Sequence, residues 1–441
     1  MKRWGFAVNV CLIGLGLMVT ANVAQASVED LLYEKGQITK EEWVKLKAEH
    51  EREEAIVQQQ SATKKWFDKI SIRGYTQMRY SYLPDEKKLR FDSDNTIGDN
   101  TGFGFRRVRL VFSGDITDWL SFYLQPDFAA AVPGTTGDTS NNFTQLRDAY
   151  SDIFLPVPFL AQKELRIRAG QSKVPFGFEN LQSSQQRAAF ERTDAINSAT
   201  PTERDLGLFL YYTPAETRKL FRRLIDSGLK GSGDYGVLGI GVYNGQGANV
   251  SERNDNKHIV LHATYPLELP YGQIIQFGVD AYRGTYRVAT SGTGLPVAPT
   301  VVNNGNYLDE RVGVHFVLFP QPFGLQAEWN WGHSPQLNAA QTAIEEGDIQ
   351  GGYVQGSYRF DYQAMSFMPY VRWQEYLGGK KARTNAPFNV IREWEFGLEW
   401  QLSRMLEFTL AYAKTERTDT QTAPYPIREG DVIRTMLQWN Y

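Results

Sequence analysis

Apart from Cys11, which lies in an apolar stretch near the start, the chain contains no cysteine. A chain cut after that stretch has none. Disulfides, thiolate metal sites, haem attachment through C-x-x-C-H and cysteine nucleophiles are thereby excluded together. Long apolar runs are also missing: beyond Ser27 none approaches the ~18 residues that a membrane-spanning helix needs. There is no basic excess either. The 47 Lys and Arg stand against 50 Asp and Glu, for a net charge of −3, which argues against a nucleic-acid partner. No G-x-S-x-G, H-E-x-x-H or Walker sequence occurs, so no catalytic residue and no cofactor are expected.

What is present begins with a basic start (Lys2, Arg3), an apolar run from Val10 to Val19 and the small-residue site Ala24-Gln25-Ala26. These predict a cleavable signal peptide over residues 1–26 and an exported protein. Residues 27–66 then read as a charged periplasmic helical segment. Gly36 suits the C′ position of a first helix, and Thr39 with Glu42 forms a capping box for a second. Trp43, Leu46, His50 and Val57 fall near a heptad seam that Glu53 interrupts, which leaves a coiled coil and a solvated helical hairpin both open.

From about residue 67 to Tyr441 the pattern changes to alternating segments of roughly ten residues, the length and period of transmembrane β-strands. KISIRGYTQMRYSY sets Ile70, Ile72, Thr76, Met78 and Tyr80 on one face and Ser71, Arg73, Tyr75, Gln77 and Arg79 on the other. About sixteen such segments follow one another, joined alternately by long polar and short connections, with 214–233 as the exception; an even strand number and unequal loop lengths are barrel features. A soluble sandwich array or propeller is the rival. Aromatics at the ends of the apolar faces, and opposite faces too charged to form a core, favour the barrel. The expected fold is all-β: a sixteen-stranded antiparallel transmembrane barrel of the outer-membrane porin type behind a short periplasmic helical segment. Its last strand ends on an aromatic, Tyr441, that shares the lipid face with Ile433, Leu437 and Trp439 and is similar to an outer-membrane sorting signal.

A closed barrel of this size leaves a water-filled channel, so its inward side chains define what passes. Turning the apolar residues outward brings Arg73, Arg79, Arg107, Arg109, Arg166, Arg168, Arg311, Arg359, Arg372 and Arg434 inward, with hardly a lysine among them. Guanidinium forks stay charged and hold phosphate or carboxylate oxygens in pairs, so such a column makes a stepwise anion path. The plainer reading is that inward acids such as Asp127, Asp148, Asp280, Glu328, Glu395 and Glu399 pair with them and stiffen the wall. His258 and His262 share a face but sit roughly 13 Å apart along a strand, too far for one zinc. Asp92, Asp94 and Gly98 lack the distal Glu of a calcium loop and are read as Asx-turns. No metal site is expected.

The stretch RIRAGQSKVPFGFENLQSSQQRAAFERTDAINSATPTERDLGLFLYYTP resembles the signature block of the phosphate-selective porin O and P family: a strand, a Gly-Gln-x-Lys-x-Pro-Phe-Gly turn, a Ser-Ser pair, Phe-x-Glu-Arg, and Arg-Asp-Leu-Gly at the next strand. The resemblance continues in RRVRLVFSGDITDW and VYNGQG. It implies a homotrimeric outer-membrane barrel that passes small anions such as phosphate, with its third loop, about 173–204, folded inward as a constriction. Carried over by position, Lys173 is the turn lysine, while Arg187 and Arg192 lie in the constriction loop, which Glu179, Glu191, Asp194 and Glu203 make less basic. A general or carboxylate-selective porin, and a scaffold barrel sheathing a periplasmic partner protein, are the alternatives.

Overall fold

The computed structural model describes residues 32–33, 35–63, 66–84, 89, 101–130 and 143–441. The expected signal segment, the Asp92–Gly98 loop and most of the loop after residue 130 lie outside them. The chain divides into two compact units, Met1–Asp68 and Lys69–Tyr441.

In the first unit a helix spans Lys40–Thr63. Its start is the capping box that the sequence predicts: the Thr39 N–H donates to Glu42 Oε2 at 2.8 Å, and the Glu42 N–H to Thr39 Oγ1 at 3.3 Å. Just before it Gly36 takes φ +65°, and its N–H donates to Tyr33 O. That is the left-handed stop a glycine allows at no steric cost.

The second unit is a closed barrel. Strands β1 (Ser71–Tyr82), β2 (Gly102–Thr117), β3 (Leu120–Ala130), β4 (Phe143–Phe154) and β5 (Leu165–Lys173) form its first wall. The next are β6 (Arg204–Tyr212), β7 (Leu238–Tyr243), β8 (His258–Glu268), β9 (Ile274–Arg287), β10 (Asn306–Leu318) and β11 (Phe323–Leu337). The last are β12 (Ile344–Tyr358, prolonged past Arg359 by Phe360–Tyr362), β13 (Met365–Gly379), β14 (Phe388–Ser403), β15 (Leu406–Thr418) and β16 (Ile427–Asn440). Each pairs antiparallel with the next, and β16 returns to β1 in the register Tyr75↔Asn440 to Tyr82↔Ile433. Closure removes every sheet edge, as a hydrocarbon environment demands.

The faces sort as alternation requires. Leu206, Leu208 and Leu210 on β6 and Val312, Val314 and Phe316 on β10 stand exposed outside, while Phe209, Tyr211, Arg311 and His315 are buried inside. Around one end of the wall the rings of Phe323, Tyr358, Phe360, Phe367 and Trp400 follow one another at 4.8 to 6.2 Å across β11 to β14. This is a girdle of the kind found at membrane–water interfaces.

β5 runs through Gly170 to Lys173, with Gly170 at φ +127° absorbing an irregularity. The long connection between β6 and β7 carries an amphipathic helix, Ala215–Asp226, that buries Thr217, Phe221 and Leu224.

Candidate functional site

The loop after Lys173 is inside the barrel because its apolar residues find inward partners there. Val174 and Phe176 join Phe209, Tyr211, Tyr243, Val260 and Tyr282 of β6 to β9. Ala188 and Ala189 pack on Met368 and Tyr370 of β13, and Phe190 on Ala411 and Met436 of β15 and β16. A short helix, Asp194–Ala199, brings Ala195 against Ile349, Tyr376 and Ile391. Ser184 Oγ lies 2.6 Å from the Tyr75 hydroxyl of β1. One thirty-residue loop thus touches walls on all sides of the lumen.

Its turn depends on Gly177. That residue has φ +85°, and a Cβ there would collide with Glu328 Oε1 of β11. The bare backbone lets the Gly177 N–H reach Asp280 Oδ2 at 3.0 Å and the Glu179 N–H reach Glu328 Oε2 at 3.0 Å. Inward acids of β9 and β11 therefore hold loop backbone as well as neighbouring side chains.

Arg79, Arg107, Arg109, Arg166, Arg168, Arg311, Arg372 and Arg434 all point inward and are buried, as alternation predicts. Most are engaged by carboxylates. Arg109 meets Asp127 at 2.7 Å, Arg168 meets Asp152 at 2.7 Å, Arg166 meets Asp234 at 3.0 Å and Arg434 meets Glu395 at 2.8 Å. Arg372 meets Glu179 of the loop at 2.7 Å. Arg311 instead donates to Ala195 O, Ser198 Oγ and Asn330 Oδ1. Arg73 is exposed near the start of β1, where Nη2 lies 3.5 Å from the Tyr123 hydroxyl. Arg359 sits at the interruption of β12 and donates to Ser227 O at 2.6 Å. Neither joins the central cluster.

Two loop glutamates organise that cluster. Glu191 receives Arg79 at 2.7 Å, Arg106 at 2.5 Å and Arg107 at 3.2 Å. Glu203 faces Arg204 at 2.6 Å, Arg192 at 3.7 Å, Arg147 at 3.8 Å and Lys173 at 3.9 Å. Burial alone would raise both carboxyls, but the surrounding cations hold them well below the usual carboxylate range. Burial likewise pulls the Arg192 guanidinium down to about 10, against the opposing charge of Glu203. Arg187 differs: it is buried, and its Nε and Nη1 have no hydrogen-bond partner.

Lys173, at the end of β5, carries its side chain under the loop, where it is buried and donates to Leu181 O at 3.3 Å and Gln182 O at 2.5 Å. Alternation misses Arg106. A bulge opposite Gln77 and Met78 lets Arg106 and Arg107 of β2 both face the lumen, which a strict period of two forbids.

The sequence model of the phosphate-selective porin O and P family matches residues 85–441. The chain belongs to this family. The fold is similar to that of Salmonella typhi OmpF, solved in complex with daunomycin: 12% identity over 84% of this chain and 97% of that one, TM-score 0.51. DcaP, an outer-membrane channel of Acinetobacter baumannii, aligns with 14% identity over 84% and 97% at TM-score 0.49. The outer-membrane expressed OmpT of Vibrio cholerae aligns with 9% identity over 84% and 97% at 0.46. No curated protein sequence gave a match. As a member of this porin family the protein is an outer-membrane channel.

In this porin the histidines belong to the wall. His258 Nε2 lies 3.1 Å from Asp309 and His262 Nδ1 lies 2.5 Å from Asp280, which His315 also approaches at 3.5 Å. Among the described residues no group of three His, Cys, Asp or Glu side chains could hold a metal.

Proposed function

We propose that this porin conducts small anions such as phosphate in preference to cations, along a path through the guanidinium cluster at the loop. One observation carries the reading. Glu191 is shared by three arginines and Glu203 by four cations, while Arg187, buried beside them, has two nitrogens without a partner. The region around the loop therefore holds an excess of positive charge, and in a narrow lumen with low-dielectric walls that excess concentrates anions. Guanidinium groups can replace part of an oxyanion's hydration shell with bidentate hydrogen bonds. On this reading the loop is the constriction, the mature chain starts after a cleaved signal peptide, and the channel is a homotrimer.

The test is the chloride current of the purified protein in a planar bilayer during titration with phosphate. Block at low concentration supports an oxyanion site at the cluster. Chloride current indifferent to phosphate leaves a general porin instead. A stable stoichiometric complex with a periplasmic protein, together with poor conductance alone, would establish the sheath alternative.

A further inference from the structure

The connection between β6 and β7 does not stay below the barrel. After its helix, the segment Ser227–Asp234 runs across the periplasmic mouth. At one end Asp234 is held by Arg166 of β5 at 3.0 Å and by the Thr213 hydroxyl at 2.7 Å. Only four residues earlier, Lys230 Nζ lies 2.5 Å from Glu399 of β14, and both side chains are buried. β14 stands nine strands from β5 round one side of the wall and seven round the other, so the segment bridges nearly opposite sides. The four steps from Lys230 to Asp234 supply at most about 14 Å of chain, and the long side chains at each end complete the span.

The segment also closes against the loop from the periplasmic side. Gln182 Nε2 donates to Lys230 O at 2.5 Å, and Leu229 packs with Phe178. Its sequence, SGLKGSGD, places three glycines in eight residues, and Gly228 and Gly233 adopt φ +67° and +92°. These are left-handed positions where glycine turns freely and other residues are strained. The span has glycine pivots, and its hold beyond Asp234 rests on the Lys230–Glu399 pair, on two hydrogen bonds to its backbone from Gln182 and Arg359, and on the seating of Leu229.

We propose that Ser227–Asp234 is a strap that closes the periplasmic exit of the channel in this conformation and opens by rupture of the Lys230–Glu399 pair. The inference rests on the channel reading above and adds a second barrier, distinct from the loop. Cation and carboxylate each lose their partner on release and regain water from the lumen, which makes the pair reversible rather than a permanent staple. Hinge positions of this kind absorb large backbone changes in lids and straps.

The test uses Lys230→Cys with Glu399→Cys in a Cys11→Ser background, studied in planar bilayers with a short bifunctional methanethiosulfonate. Without reagent the strap has lost its far ion pair, and single-channel conductance is expected to rise about twofold or more over wild type. Cross-linking should return it to the wild-type level or below, and reductant should reverse that. Equal conductance in all three states overturns the proposal. Should the double variant fail to fold, Glu399→Gln must show the same rise and Gly233→Ala fewer openings; unchanged values for both overturn it equally. The sign of the reversal potential, recorded in the same traces, tests anion preference separately from the strap.

Discussion

Replacing Glu191 by Gln probes the guanidinium cluster most sharply. The carboxylate sits 2.5 to 3.2 Å from three arginines on β1 and β2, and Gln keeps its volume and one acceptor while deleting its charge. The variant adds one net positive charge to the lumen. At about 6 Å from a passing ion in water-like dielectric, one charge is worth about 0.7 kcal/mol, which is about threefold in local anion population and about threefold the other way for cations. The anion-to-cation permeability ratio should therefore rise about tenfold at low salt and less at high salt, where screening shortens the reach of the charge. The ratio is read from the reversal potential in a KCl gradient, with heat-modifiable gel migration confirming the folded barrel. Phe190 and the Arg372–Glu179 pair still fix the loop, so loss of the loop should not mask the effect. A ratio that stays constant, or shifts towards cations, would refute the assignment of this cluster to the ion path.

Other variants separate structure from conduction. Arg187→Ala should weaken phosphate block about tenfold while leaving the heat-modification temperature unchanged, since this guanidinium leaves two nitrogens unpartnered; one lost charge-assisted contact is worth about 1.5 kcal/mol. Phe176→Ala empties a fully buried position against Tyr282 and should cost about 3 kcal/mol of loop docking, seen as noisier current and faster proteolysis of the loop. Gly177→Ala should do the same, because its Cβ meets Glu328 at a positive φ. Acid should release the loop as well. Glu191 and Glu203 have folded-state pKa values below their unfolded ones, so their contribution is complete above about pH 4.3 and is lost as pH falls further. Current noise should be flat from neutral pH down to about 5 and should rise below about 4; noise that grows already between pH 7 and 6 would contradict this.

Much of the wall was legible because a half-lipid strand writes its orientation every second residue. Ile72 against Arg79, or Val108 against Arg107, needs no tertiary information. The register of β16 with β1 is not set by that alternation, since a slip of two residues would keep every face. What escaped was what alternation cannot encode. Arg106 turns inward through a bulge, which appears in sequence only as two adjacent arginines. Glu179, Glu191 and Glu203 belong to a loop, 173–204, whose acids match its basic residues in number, yet which guanidiniums these glutamates neutralise depends on contacts far apart in the chain. That Lys173 lies buried under the loop depends on the fold of 174–203 and is not encoded in the alternation of β5. The glycine-rich run after Asp226 is visible as an overlong connection, but its reach to Glu399 depends on the closed barrel.

The reversal potential of the wild-type channel in a KCl gradient tests the central claim most directly. The guanidinium excess around Glu191, Glu203 and Arg187 predicts the sign of an anion-selective pore, with selectivity that weakens as salt is raised. A potential of the opposite sign, or none, would contradict it.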